Sequence, residues 1–206
     1  MRATVHKQTY TGGRAYRYHI VDEAGRLCYL AEPAGLLLPS PTRLVEFFAP
    51  DHSRVARLQP PRVARWRREK HYTVFVGRGT EEPHAVIRER WRLVDMLLLR
   101  LPRYDVQLEG DGYVVRGSRY GERFYEIFRS CDGEVEQGRA GEEIRRYVET
   151  EAQGEAGPRS REMKVGQIER PTTGASYIVQ TDATPLRQAL LVLAAVVVLI
   201  DLELHA

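Results

Sequence analysis

The stretch Ala189–Ile200 reads ALLVLAAVVVLI and is apolar at every position. Coiled as a helix it has no face to offer water, so it must be buried all round. A helix of that length is about 18 Å long, against a hydrocarbon core of about 30 Å, which is too short to span a bilayer. Lengthening it to Leu204 takes in Arg187, Gln188, Asp201 and Glu203, two of them acids that a bilayer interior disfavours. Thr184-Pro185 supplies N-cap and N1 residue types just ahead of the run. The valines at 196–198 favour strand over helix, so a fully buried strand is the local competitor. The reading carried forward is a central helix over 185–204, enclosed by the rest of a soluble domain.

The remainder of the chain offers short strands to enclose it. Tyr16, Tyr18 and Ile20 alternate with Arg17 and His19, and beyond Asp22-Glu23-Ala24-Gly25 comes Leu27 to Ala31, which predicts a hairpin. The segment 32–41 holds Pro33, Pro39 and Pro41 and predicts a loop or crossover. Val45 to Ala49 and Val55 to Leu58 flank Pro50-Asp51-His52-Ser53, a second hairpin. Alternation returns at Tyr72, Val74 and Val76, then at Tyr104 to Leu108 and Tyr113 to Val115 around Glu109-Gly110-Asp111-Gly112, and at Phe124 to Phe128 before Asp132-Gly133. Short strands separated by glycine turns favour a barrel or sandwich. Two stretches read otherwise. Ile87, Trp91, Val94, Leu98 and Leu101 recur at helical spacing after Thr80-Glu81-Glu82-Pro83, which predicts an amphipathic helix over 83–101. Ile144 and Val148 allow a short helix over 141–150, and the polar segment 151–161 reads as a mobile loop.

The C-terminal portion resembles the close of the superfamily that unites tubby C-terminal domains, phospholipid scramblases and LURP-one-related proteins, here of the bacterial LURP-one-related type. The residues that carry the likeness are Val165-Gly166-Gln167-Ile168, Tyr177-Ile178-Val179, and the apolar run closing on Ile200-Asp201. The hairpin YHIVDEAGRL and the strand HYTVFV are similar too, so the likeness covers most of the chain, as a diffuse pattern of strands and glycines. It implies a mainly β fold with a buried helix (α+β), a closed antiparallel barrel of about twelve strands around the hydrophobic C-terminal helix. Such a barrel would place strands within 83–101, against the helical period read there.

At 206 residues, with 43% hydrophobic and 29% charged residues, the chain reads as a single domain over 1–206 with enough apolar matter for a core. A net charge of only +3 gives no general footprint for nucleic acid, so any basic site is local. Cys28 and Cys131 lack CxxC spacing, and no apolar signal stretch follows the N-terminal charges, which fits a reduced, cytoplasmic setting. Gly77-Arg78-Gly79 lacks the third glycine of a dinucleotide fingerprint, and no GxxxxGK[ST] occurs. Ser118 in Gly117-Ser118-Arg119-Tyr120-Gly121 sits one place too early for a nucleophile elbow and reads as a turn residue. The histidines at 6, 19, 52, 71, 84 and 205 have no HExxH or i, i+4 spacing, so no metal site is read from them. The acidic pairs Glu81-Glu82 and Glu142-Glu143 suit helix N-termini. The expectation is a protein without catalytic residues or cofactor.

One stretch stands above background. Between Arg54 and His71 (RVARLQPPRVARWRREKH) the chain places Arg54, Arg57, Arg62, Arg65, Arg67, Arg68 and Lys70 against Glu69 alone. In a strand Arg65 and Arg67 would share one face, and Trp66 and Arg68 the other. A solvated edge that discourages aggregation accounts for such charges. The functional alternative is an anion site of Arg62, Arg65, Arg67, Arg68 and Lys70 for phosphoinositide or other acidic headgroups, the ligand the resemblance implies. That makes a binding or scaffolding protein, peripheral at a membrane surface or bound to an unidentified protein. The alternative from the same likeness is a scramblase-like, membrane-associated protein with an inserted C-terminal helix.

Overall fold

A computed structural model of the protein describes residues 1–9, 16–33, 44–60, 69–77, 82–90, 102–108, 110–117, 124–130, 162–171, 175–182 and 187–204. Its elements are β1 (Arg2–Thr9), β2 (Tyr16–Asp22), β3 (Leu27–Pro33), β4 (Val45–Phe48), β5 (Arg54–Gln59), β6 (Glu69–Val76), β7 (Ala85–Arg90), β8 (Arg103–Leu108), β9 (Asp111–Gly117), β10 (Phe124–Ser130), β11 (Glu162–Glu169), β12 (Ser176–Thr181) and α1 (Arg187–Leu204). Each strand pairs with its neighbours in sequence, and β1 pairs with β12 to close the barrel. The pairings are antiparallel throughout. Closure satisfies the backbone groups that an open sheet would leave at its edges. By this alternation the ends of β1, β3, β5, β7, β9 and β11 share one rim with the starts of the even-numbered strands; it is termed the upper rim.

Period two sorts the side chains. Val5, Ile20, Phe47, Leu58, Ile87 and Val179 are fully buried inside, while their strand neighbours face out. The interior is filled by α1, in which the side chains from Leu190 to Leu202 are buried except for the half-buried Leu193. Burying a Val or Leu side chain contributes about 1.5–3 kcal/mol, whereas helix propensities differ by less than about 1 kcal/mol, so enclosure decides for helix despite the valine cluster. The expected start at 185 falls just outside the described residues. Among the described residues no helix is long and apolar enough to cross a membrane.

Of the helix and the strands both read for 83–101, the strand reading holds over the first part and the helical one is corrected there. Ala85–Arg90 is the strand β7, paired with β6 on one side and β8 on the other. Ala85, Ile87 and Glu89 point inward, and Glu89 is the reason the alternation is hard to see, because a fully buried acid reads as a polar position. Residues 91–101, the short helix over 141–150, the loop 151–161 and Cys131 lie outside the described residues.

Gly166, from the Val165-Gly166-Gln167-Ile168 motif, sits where the β12 backbone crowds against β11. A Cβ there would stand 2.3 Å from the carbonyl oxygen of Gln180 and 3.0 Å from Cα of Thr181. Only glycine lets the two backbones approach so nearly. Across β11, the register with β10 shifts between Ile127 and Phe128.

Two acids inside the barrel are fully engaged. Asp201 of α1 accepts hydrogen bonds from the hydroxyls of Tyr18 (2.6 Å) and Tyr177 (3.0 Å) and pairs with Lys7 Nζ at 2.7 Å. Glu89 takes Lys70 Nζ at 3.0 Å and the Tyr72 hydroxyl at 3.0 Å. Both clusters lie toward the upper rim.

Candidate functional site

With its interior occupied by α1, the barrel offers its rims and outer wall to partners. Two interior tyrosines have hydroxyls shifted by their surroundings. Burial first, and then Glu89, pushes the Tyr125 hydroxyl far above the ordinary phenol range; burial and Asp201 do the same to Tyr177. Both stay protonated. Among the described residues no group of three or more His, Cys, Asp or Glu is placed to hold a metal ion. A shallow recess of about 500 Å³ at the lower rim is lined by residues that include Cys28, Tyr29, Asp51, Val55, Val76 and Leu191. Its lining brings no nucleophile and base together.

The strongest concentration of charge on described residues is on the outer wall near the upper rim. Since Ile87 and Glu89 face inward, Arg88 and Arg90 of β7 face out, and by the same parity so do Arg103 and Asp105 of β8 and Arg116 of β9. The register sets Arg88 opposite Asp105, Arg90 opposite Arg103, and Arg103 opposite Arg116. Neighbouring strands are about 4.8 Å apart, so these side chains share one patch. Asp105 is bracketed by two of them, with Arg90 Nε at 3.0 Å from Oδ2 and Arg103 Nε at 2.7 Å from Oδ1. The Arg116 guanidinium lies over the Phe128 ring, 3.9 Å from its centroid, a contact that holds a long side chain in place at little cost to its charge. Arg88 is exposed, and His71 of β6 stands opposite it. Among the described residues of this patch, the Asp105 carboxylate thus sits with four guanidiniums. Glu126, opposite Arg116, is paired with Lys164 at 2.9 Å.

Of the residues expected to form an anion site, Arg62, Arg65, Arg67 and Arg68 lie outside the described residues, as does Trp66. Lys70 is described, and its ammonium points to Glu89. Arg54 pairs with Glu46 at 3.0 Å, and Arg57 lies 4.8 Å from the Phe75 ring centroid. The end of β5 at Gln59 and the start of β6 at Glu69 are both at the upper rim, and β6 is the immediate neighbour of β7. Arg88, Arg90, Arg103 and Arg116 escaped the sequence reading. The signal was the alternation Arg88-Glu89-Arg90 and Arg103-Tyr104-Asp105, and it shows only once 85–90 is taken as a strand. Comparison of the chain with protein-family models, with curated proteins and with solved structures finds no match.

Proposed function

We propose that the protein is a non-enzymatic binding protein of the tubby-like, LURP-one-related type, whose basic wall at the upper rim takes acidic phospholipid headgroups at a membrane surface. The observation that carries this reading is the set Arg88, Arg90, Arg103 and Arg116, brought to one patch by strand register. Guanidinium forks bind phosphate oxygens in pairs, which lysine does not do. Strands hold them with less loss of order on binding than a loop would. In sequence, Arg62, Arg65, Arg67 and Arg68 fall between β5 and β6. Asp105 serves as the resident counter-ion that fixes Arg90 and Arg103 when no ligand is bound. The acidic inner leaflet of a cell membrane is the surface that suits such a wall.

Each basic residue near an acidic bilayer adds about 1 kcal/mol, screened over about 8 Å at physiological salt, so binding is weak and salt-sensitive. The test is co-sedimentation of the full chain with phosphatidylcholine vesicles, with or without phosphatidylserine or phosphoinositide. Binding is expected only with the acidic lipids and should fall as salt rises. Arg88→Gln with Arg103→Gln should weaken it about tenfold or more, by the loss of two such contributions. The triple change Arg65→Gln, Arg67→Gln, Arg68→Gln reads the share of the neighbouring stretch. Equal binding to neutral vesicles, or no effect of the double change, overturns the proposal.

A further inference from the structure

His6 and His19 are far from any metal-ligand spacing in the sequence, yet β1 and β2 place them directly opposite each other. Val5 and Ile20 beside them face the core, so both imidazoles stand on the outer wall, half-buried. The Lys7 amide bonds to Ala175 on the β12 side, so the backbone groups of His6 turn toward β2. Directly opposed residues of this hydrogen-bonded kind have Cα atoms about 5.5 Å apart, a span across which two imidazoles can reach one ion.

We propose that His6 and His19 form a two-imidazole chelate for a divalent transition-metal ion, with Cu²⁺ preferred over Ni²⁺ and Zn²⁺. The order of metals follows from nitrogen ligands in an open site that imposes no tetrahedral cage. His6 has the outer support that metal-binding imidazoles commonly have: its Nδ1 is 2.8 Å from Ser176 Oγ on β12. In the tautomer in which Nδ1 donates to that hydroxyl, the lone pair is on Nε2, and the contact orients the ring. Arg17 does not stand over the pair as a bare charge, since it is ion-paired with Glu32 of β3. The remaining coordination positions are open to water. Because the ligands come from two strands, the ion would also staple β1 to β2.

The experiment is calorimetric titration of the full chain with CuCl₂ and NiCl₂ in a non-coordinating buffer, followed by thermal melts with and without the ion. One Cu²⁺ per chain, bound more tightly than Ni²⁺ and raising the melting temperature, is expected. His6→Gln and His19→Gln should each abolish both the saturable binding and the shift. Ser176→Ala, which removes only the support, should weaken affinity about tenfold. His71→Ala and Cys28→Ser should bind as the unaltered chain does. Both glutamine variants replace outward-facing side chains, and a native melt in the absence of metal verifies that they fold. Saturable binding that survives either glutamine change, or that disappears with His71→Ala or Cys28→Ser, overturns the proposal.

Discussion

The Tyr18 hydroxyl donates a 2.6 Å hydrogen bond to Oδ2 of Asp201, across 183 positions of sequence. Lys7 Nζ lies 2.7 Å from the same oxygen, and the Tyr177 hydroxyl holds Oδ1 at 3.0 Å. The acid that ends the apolar part of α1 is therefore clasped by β1, β2 and β12, the strands at the seam where the barrel closes. This contact fixes how far the helix sits along the barrel axis, a coordinate that uniform apolar packing leaves soft.

Asp201→Asn keeps the shape of that acid and removes its charge, so the Lys7 ammonium, whose side chain is 13% exposed, loses its ion pair with Asp201. Breaking one side of such a pair costs roughly 3 kcal/mol or more, and replacing both partners by apolar groups restores much of it. Urea unfolding should show that loss for Asp201→Asn and a clear recovery for Lys7→Met with Asp201→Leu. If the double variant is no more stable than the single one, the clasp is not the source of the effect.

Alkaline pH should unfold the barrel through its buried tyrosines. Tyr125 and Tyr177 have pKa values well above the ordinary value of 10.0 in the folded state. Above pH 10 the unfolded chain has lost phenolic protons that the folded chain still holds, so stability, fully present below that pH, falls as pH rises toward the folded values. Melting temperature should be flat with respect to these groups up to about pH 10 and then decline. Ultraviolet absorbance of phenolate should appear for them together with unfolding. Early titration of both in the intact fold would contradict their burial.

Tyr125 and Tyr72 predict opposite responses to loss of a hydroxyl. The Tyr125 oxygen is buried with no hydrogen-bond partner among the described residues, whereas that of Tyr72 holds Glu89 at 3.0 Å. Tyr125→Phe should be neutral or stabilising, and Tyr72→Phe should cost about 1.5–3 kcal/mol, the range for a hydrogen bond to a charged group. Chemical denaturation of the two variants decides it, and equal losses would sink the distinction.

How much of this could be read beforehand depends on where each signal resides. The run Ala189–Ile200 announces its own burial, because no rotation of a helix gives it a wet face. The hairpins Tyr16 to Ala31 and Val45 to Leu58 show alternation and turn chemistry within one short window. Glu89 defeats that approach: its partners Lys70 and Tyr72 lie on another strand, so an inward acid looked like an outward one and 83–101 took on a helical period. The arginine wall and the His6–His19 pair are products of register, and register is set by pairing between strands. Asp201 was visible as an acid unsuited to a bilayer, but nothing near it in sequence points to Lys7 or Tyr18.

Gly166→Ala tests the close approach of β11 and β12. The added methyl would fall 2.3 Å from a backbone oxygen, and neither strand is free to retreat, since β10 and β1 pair with their other sides. Overpacking of this kind usually costs about 1–3 kcal/mol, and backbone on both sides places this case at the upper end. A thermal melt should show the loss, with the barrel still formed by circular dichroism. An unchanged melting temperature would mean that the strands separate more easily than their register implies.

Val197 lies in the middle of α1 with no exposed surface. Val197→Asp puts a carboxylate there without Lys7, Tyr18 or Tyr177, the groups that make Asp201 tolerable at the rim. An unpaired buried charge costs several kcal/mol or forces the group to protonate, out of a net stability of about 5–15 kcal/mol for a domain. The damage should not remain local. Val5, Ile20, Phe47, Leu58, Ile87 and Ile168 belong to the same continuous core as the helix, so strands and helix should lose structure in one transition. Removal of residues 187–206 should go further, because twelve strands closed around nothing leave a cavity that neither water nor side chains can fill favourably. The truncated chain should show a broad, weak melt and bind dyes that report exposed apolar surface, as molten states do. A sharp transition near that of the full chain would mean that the barrel stands without its helix, and that the apolar run is an appendage with another purpose.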